Sequence, residues 1–388
     1  MKILFLTNAY PDFEGSYRGI FIKKMATLLQ KEGYEITIVT PKIYKKSHYF
    51  EEQNGIKVYR FPFLAGDKLL IEYERIPHIR MVLYYISGFF LTIYVVLRHH
   101  CRLIHSHWAI PTGLVGVFAG AFLKKPHLVT IHGSDFRIAM DKAGVLKKIF
   151  LYVCKKANNL TCVSGEQKRK IEQMGIQGEK ISLFPMGVDD AFLENEKKRE
   201  RHLKEGPFII LSNRNLLPIY NVSLLIEAIP FVLKEEPDVR FLIAGEGPEK
   251  KNLEREARKL NIEAYVRFLG RLSNEEISSF LAKTDIYVST SLYDGTSVSL
   301  LEAMASGCFP VVSDIPSNRE WIRDGENGFL FPLNDEKILA QKVLDAIRNK
   351  KMVEKARKWN QSIIKEKVLW PVCIARVKKI YEDQLLRK

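Results

Sequence analysis

Short apolar runs that end in polar or small residues alternate along this chain with stretches whose apolar positions recur at helical spacing, the pattern of a sheet wound with helices. Residues 2–8 (KILFLTN) predict a buried strand, and Ala9–Gly19 (AYPDFEGSYRG) predicts a loop punctuated by Pro11, Gly15 and Gly19. Ile20, Phe21, Met25, Leu28 and Leu29 then recur at helical spacing before Gly33 stops the run, and Glu35–Thr40 (EITIVT) is the next strand. Strand, loop, helix and strand in that order begin a Rossmann-like half. Its glycine loop lies at the carboxyl end of the first strand, where open parallel sheets take their ligands. The loop lacks GxGxxG spacing, which argues against a dinucleotide. Leu103–His107, Leu128–His132 and Asn159–Ser164 extend the series as βα-type units.

Ile181–Leu193 leads through a Pro/Gly turn into Glu194–Lys204 (ENEKKRERHLK), a charged run with no apolar face and therefore the predicted linker. A second series begins at Phe208. Strands are expected at 208–215, 239–247, 265–270, 285–289 and 308–313, and helices at 222–233, 249–260, 274–282, 317–323 and 336–347. A last helix is expected from Val368 to Leu386. The predicted fold class is α/β: two Rossmann-like domains, 1–200 and 201–365, facing across a cleft, with a helix at 366–388 crossing back to the first domain.

One segment departs from the alternation. Met81–Leu97, 17 residues without a charge, reaches the lower limit for crossing a bilayer, and His78, Arg80, Arg98, His99, His100 and Arg102 flank it. Three readings are open: a buried or partly exposed helix of the first domain, a helix docking on a membrane face, or a span. The Rossmann pattern continues on both sides, which opposes a span.

At 388 residues the chain has room for two domains with separate cores, and 46% apolar residues make it globular. The net charge of +15 is uneven: 30 Lys/Arg oppose 19 Asp/Glu in residues 1–200, and 30 oppose 26 in the remainder. The basic first half points to an anionic partner, a phosphorylated substrate or an anionic membrane surface, with a merely solvated basic face as the bland reading. No RNP-type aromatic pair, zinc-finger spacing or basic heptad accompanies it, so no nucleic acid partner is expected. Five scattered cysteines without CxxC or Cys/His spacing argue against a structural zinc and suit a reducing, cytoplasmic compartment. Met1-Lys2 runs directly into the first strand, so no secretory leader is expected.

The stretch richest in chemistry is Ser291–Gly307 (SLYDGTSVSLLEAMASG). Strand Asp285–Ser289 feeds a turn containing Asp294, Gly295, Thr296, Ser297 and Ser299, and a short apolar helix follows. This layout aims backbone N–H groups at one point with the helix dipole behind them, which suits a diphosphate. Asp294 and Glu302 bracket the turn, and a carboxylate there can accept both hydroxyls of a sugar diol. An ordinary β-turn-α connection capped by Ser or Thr accounts for the same residues. In the first half, His132-Gly133-Ser134-Asp135 ends a strand. A plain turn is the competing reading there, and His105 and His107 read as structural.

In order, these residues resemble a known family. LIAGEGPEKKNLE (242–254), VRFLGRLSNEEISSFLAKTDIYVSTS (266–291), DGTSVSLLEAMASGCFPVVSD (294–314) and ENGFLFPLND (326–335) are similar to the retaining family 4 (group 1) glycosyltransferases of the GT-B fold. HSHW (105–108), TIHGSD (130–135), VSGEQK (163–168) and FPMGVDDAF (184–192) agree in the first half, so the resemblance covers nearly the whole chain. It implies that a UDP- or GDP-linked sugar is moved to a glycan or lipid-linked acceptor in cell-surface polysaccharide synthesis. Retention at the anomeric carbon is implied too, with no metal or cofactor. By position, Glu302 is implied to hold the ribose and Arg214 the diphosphate. The backbone of Ser297, Val298, Ser299 and Leu300 is implied to meet the distal phosphate, beside Gly295 and Thr296. Gly15 and Ser16 then approach the phosphates, Gly245 and Glu246 line the nucleotide, His132 and Asp294 lie at the donor sugar, and Asp135 faces the acceptor.

The chain departs from the family at two places. Asp294 stands where the family has Glu, one methylene shorter, and Tyr220-Asn221 stand where it has Lys-Gly. The missing lysine removes a point charge worth about 1–3 kcal/mol at a desolvated phosphate. The basic half and its apolar segment make a membrane-proximal acceptor and a peripheral position on the inner face of the cell membrane the expectation. A GT-B nucleotide-sugar epimerase and a non-catalytic nucleotide-binding GT-B protein are the alternatives.

Overall fold

The computed structural model describes residues 1–13, 15–16, 18–68, 77–141, 144–194 and 206–386. It divides into two compact units, Met1–Phe184 with Ile374–Lys388, and Pro185–Cys373. In the first unit β1 (Lys2–Thr7), β2 (Glu35–Lys42), β3 (Phe50–Gln53), β4 (Ile56–Pro62), β5 (Leu103–His107), β6 (His127–Ile131), β7 (Asn159–Cys162) and β8 (Ile181–Leu183) form one sheet. Their order is β3-β4-β2-β1-β5-β6-β7-β8, and every pair except β3–β4 is parallel. β5 and β6 are buried throughout, as strands of a parallel sheet covered by helices must be. Those helices are α1 (Ile20–Lys31), α2 (His78–His99), α3 (Leu114–Leu123), α4 (Ser134–Asp141), α5 (Gly144–Lys156) and α6 (Gly165–Gln173). The hairpin β3–β4 is not among the predicted elements. Asn54-Gly55, at φ 50° and 78°, is its turn signal, but the polar FEEQ of an edge strand hides it from a hydrophobic pattern.

The apolar segment 79–97 lies within α2, along the sheet. Tyr84, Gly88, Thr92, Val95 and Val96 are buried on one side, and Tyr84 Oη donates to Asn8 Oδ1 at 3.2 Å. Gly88 marks the closest approach, because a Cβ there would stand 3.3 Å from the Phe61 ring. Val82, Ile86, Phe90 and Tyr94 lie exposed on the other side. By length and composition α2 could cross a bilayer, but its inner face packs into the core of this unit, which favours the first of the three readings.

The second unit holds β9 (Phe208–Ser212), β10 (Val239–Ala244), β11 (Val266–Gly270), β12 (Ile286–Ser289), β13 (Phe309–Ser313) and β14 (Phe329–Phe331). They are all parallel, in the order β11-β10-β9-β12-β13-β14. Its helices are α7 (Val222–Glu235), α8 (Lys250–Lys259), α9 (Asn274–Leu281), α10 (Val298–Ala305), α11 (Pro316–Arg319), α12 (Glu336–Arg348) and α13 (Lys350–Lys367), and α14 (Trp370–Leu386) closes the chain. The strand order reverses between β9 and β12. The carboxyl ends of the strands at such a point form the ligand crevice of an open sheet.

The division falls earlier than the expected 200/201. Pro185–Glu194 group with the second unit because Val188 N–H donates to Val368 O (2.8 Å), Trp370 N–H donates to Val188 O (3.1 Å), and Phe192 is buried in one cluster with Leu300 and Leu301. Apart from Glu194, the predicted linker 194–204 lies outside the described residues. The expected closing helix is preceded by an additional one, α13, which packs on α10. The part of α14 from Ile374 onward groups with the first unit, where Tyr381 Oη lies 2.7 Å from His105 Nδ1 and Lys378 Nζ lies 2.5 Å from Glu32 Oε2.

Replacing Gly88 by Leu drives a side chain into the Phe61 ring, so the thermal midpoint of Gly88→Leu is expected to fall by roughly 3–10 °C. Ile86→Ser, on the open side of α2, is expected to change it by no more than about 2 °C. Circular dichroism melting checks the pair, and equal midpoints would contradict the placement of α2.

Candidate active site

Arg214 follows β9, and Asp294 and Ser297 follow β12, so the strand reversal brings them together. The Arg214 guanidinium is only 8% exposed. Its NH1 donates to Ser297 Oγ at 2.8 Å, its NH2 pairs with Asp294 Oδ2, and its face lies 4.2 Å over the Tyr220 ring. Burial opposes the charge, but Asp294, together with the Tyr287 and Tyr220 hydroxyls, outweighs it and raises the guanidinium above its ordinary value. Arg214 therefore stays a cation, and a guanidinium has five N–H donors, so the two named acceptors do not exhaust it.

Ser297 caps α10. Its Oγ accepts the Leu300 N–H at 3.3 Å, while the N–H groups of Val298 and Ser299 find no acceptor among the described residues. Gly295 N–H donates to Asp294 Oδ1 (3.0 Å) and Ser299 Oγ to Asn213 O (3.3 Å), fastening the turn. Glu302, on the next turn of α10, has no hydrogen-bond donor to its carboxylate among the described residues. Burial first, and then Asp189, push its pKa up to about 8 against the pull of Arg214. A fixed cation, two open helix N–H groups and a carboxylate short of donors can together hold an anion and a neighbouring diol. Thr296 sits on the turn between them.

Gly245 and Gly247 show why the β9 and β10 loops meet here. A Cβ on Gly245, at φ 139°, would lie 2.2 Å from Arg214 O, and one on Gly247 would lie 2.2 Å from Leu216 O. Leu216 N–H donates to Glu246 O at 3.0 Å. Gly245 thus presses directly on the Arg214 loop. The Glu246 side chain is paired with Lys250 at 2.8 Å. Tyr220, where the family has lysine, is stacked on Arg214. Asn221, where it has glycine, holds a left-handed φ of 45°, a conformation asparagine tolerates.

In the first unit the loops after β1, β5 and β6 share one end of the sheet. His132 Nε2 lies 3.1 Å from His107 Nδ1, with the rings stacked 5.3 Å apart, and Trp108 and Phe21 also pack on His132. Burial pushes His132 down to about 3, and burial with His105 and His132 takes His107 well below its ordinary value, so both rings are neutral. Asp135, expected on the acceptor side, is engaged by backbone in this structure. It is 1% exposed, and its oxygens accept from Ala109 N–H (2.6 Å) and Gly133 N–H (3.1 Å). Burial pushes its pKa up to about 6 against those bonds. It therefore ties the His132 loop to the Trp108 loop. Gly15, at φ 78°, opens onto free space, and Ser16 N–H donates to Phe13 O at 3.0 Å.

Sequence reasoning missed the anchor of that first loop. Arg18 makes two bonds to Asp12 (2.7 and 3.2 Å) and one to Asn8 O (2.6 Å), and Gly19 is forced because a Cβ would stand 2.2 Å from Ala9 O. The Asp12/Arg18 pairing at a separation of six had no motif to announce it. Among the described residues no three His, Cys, Asp or Glu side chains converge as a metal site.

Two family profiles match the chain, Glycosyltransferase Family 4 over residues 19–192 and Glycosyl transferases group 1 over residues 194–365. An uncharacterised glycosyltransferase of Methanocaldococcus jannaschii is 28% identical over 313 residues, covering 80% of this chain and 84% of its own. The alpha-monoglucosyldiacylglycerol synthase of Streptococcus pneumoniae is 25% identical, covering 89% of this chain and 78% of its own. Among solved structures, sucrose-phosphate synthase of Thermosynechococcus elongatus superposes with a TM-score of 0.79 at 14% identity over 100% of both chains. Anabaena HepE in complex with UDP does so with a TM-score of 0.77 at 17% identity, over 99% of this chain and 100% of its own.

Glu302 yields a pH test of the site without any ligand. Its native pKa of about 8 exceeds the ordinary 4.5, so between those values the unfolded chain has released a proton that the native chain keeps. Stability therefore falls as pH rises through that window. Glu302→Gln removes the penalty: its thermal midpoint is expected above wild type near pH ~8, with the gap closing toward pH ~5. A gap independent of pH in scanning calorimetry would refute the raised pKa.

Proposed function

We propose that this chain, which belongs to the group 1 glycosyltransferases and has their GT-B fold, transfers a sugar from a nucleotide-diphosphate sugar to a glycan or lipid-linked acceptor. Transfer retains the anomeric configuration and uses no metal. The observation that carries the proposal is the buried Arg214 cation, held by Asp294 and Ser297 at the N-terminus of α10 with Glu302 one turn on. Names of relatives lend support: one is a diacylglycerol glucoside synthase and another transfers galactose from UDP-Gal to a diphosphoundecaprenol-linked sugar. HepE has been seen with UDP-glucose.

In this reading the donor diphosphate lies on Arg214 and on the N–H groups of Val298 and Ser299, and Glu302 accepts the ribose hydroxyls. The bond from the anomeric carbon to the distal phosphate oxygen breaks, and the negative charge that grows on that oxygen is met by a cation and a helix dipole already in place. The acceptor oxygen bonds to the same face of the carbon. Its proton passes to the departing phosphate, so a nucleoside diphosphate leaves and no protein carboxylate is consumed. Ionised Glu302 binds the diol best, so donor affinity rises with pH toward and beyond about 8.

Arg214→Ala is expected to lower kcat about 10²–10³-fold, followed as nucleoside diphosphate released from UDP- and GDP-sugars with a lipid-linked acceptor. Glu302→Gln should act mainly on the donor KM, raising it roughly tenfold. An Arg214→Ala enzyme within a few-fold of wild type would sink the assignment. Excess EDTA is expected to leave turnover within about twofold, since the protein supplies the charges a metal would supply. Abolition by EDTA, or a product of inverted configuration by NMR, would overturn the corresponding part.

A further inference from the structure

Outside the site, the first unit carries an apolar face with no described element over it. Val82, Ile86, Phe90 and Tyr94 follow one another along the outer side of α2, and Phe118 and Phe122 project from α3 beside them. Phe90 is 64% exposed and Phe122 68%, far beyond what a scatter of single surface residues would show. The rings join the helices into one surface: Phe89 lies 6.1 Å from Phe122, and Phe118 lies 6.2 Å from Tyr152 of α5. Between α2 and α3 the surface dips into a trough of about 440 Å³, walled by Ile86, Phe89, Phe90 and Phe118 among others.

Phe118 also borders a second cavity, of about 520 Å³, at the carboxyl ends of α3 and α5. Lys124, Lys125 and Lys156 line it with Tyr152, and no carboxylate does. None of the three lysines has an ion-pair partner among the described residues. Buried His127 lines the same cavity, and its Nδ1 has no hydrogen-bond partner there. The one-sided charge extends further: from Pro77 to Ser134 the sequence has no Asp or Glu, while Arg80, Arg98, Arg102, Lys124 and Lys125 fall within it.

We propose that this face docks on an anionic phospholipid bilayer, with the Phe90/Phe118/Phe122 ridge entering the acyl boundary and lipid phosphate occupying the Lys124/Lys125/Lys156 recess. Aromatic and aliphatic side chains beside unpaired lysines match a surface that is apolar inside and negative at its edge. A second copy of the chain is a poorer occupant, because pairing the face with itself sets unpaired lysines against lysines. The docking does not depend on the donor chemistry.

The test uses the full chain and flotation with vesicles of phosphatidylcholine alone or mixed equally with phosphatidylglycerol. Binding is expected only to the mixed vesicles, and it should weaken with salt. Lys124→Glu/Lys125→Glu/Lys156→Glu should lower vesicle affinity at least about tenfold, and Phe90→Ser/Phe122→Ser should lower it comparably. Both variants should keep the wild-type thermal midpoint and the wild-type rate of donor hydrolysis without acceptor, which separates docking from folding and from the donor site. The proposal falls if the wild type ignores the anionic vesicles, if it binds neutral vesicles equally, or if the two variants bind as it does. It also falls if sedimentation shows a dimer that Phe90→Ser/Phe122→Ser dissolves.

Discussion

A guanidinium that is nine-tenths buried has to be surrounded by acceptors and negative charge, or burying it would cost more than the fold can offset. In the second unit that demand organises everything near Arg214. Asp294 supplies the opposite charge, Ser297 supplies an oxygen already fixed as a helix cap, and Tyr220 supplies a ring face. All three come from loops that leave the sheet at its strand reversal, so the pair Arg214–Asp294 spans the crevice where the order turns from β9 to β12. Losing either partner would leave a buried charge uncompensated, which is why the site and the local fold cannot be varied independently.

The same constraint explains the shorter acid at Asp294. An aspartate reaches Arg214 directly while also accepting the Gly295 N–H, so its carboxylate closes the turn as well as the ion pair. The Tyr220 ring keeps company with the cation that remains, and its backbone is locked because Tyr220 O accepts from Thr290 Oγ1 at 3.0 Å. Where the family has lysine, this chain thus has a ring packed on Arg214. In the first unit a buried carboxylate plays a comparable structural part: Asp135 binds two backbone N–H groups and holds the loop bearing His132 against the loop bearing Trp108.

The α/β class, the alternation of strands with helices, and the strand–turn–helix of 291–307 were legible because fully buried parallel strands read as short apolar runs. Less of the local detail was. β3 is a polar edge strand, so its hairpin showed only in Asn54-Gly55. The unit boundary moved to Pro185 because Val188 exchanges backbone hydrogen bonds with Val368 and Trp370, residues about 180 positions away that no local pattern connects. Nothing local reveals that Ala109 N–H points at Asp135.

By itself, then, the sequence determined the elements, the family and the set of chemistry-bearing residues, since periodicity, turn residues and ordered motifs are properties of neighbours in the chain. Only the tertiary structure decided which of those residues meet and in what state. It joined Arg214 to Asp294 across 80 positions and raised the Glu302 pKa by enclosing it. It turned Asp135 inward, and it divided one apolar helix into a core face and an outer face. Charge pairing and burial are set by distances through space, and those are fixed only when the sheets assemble.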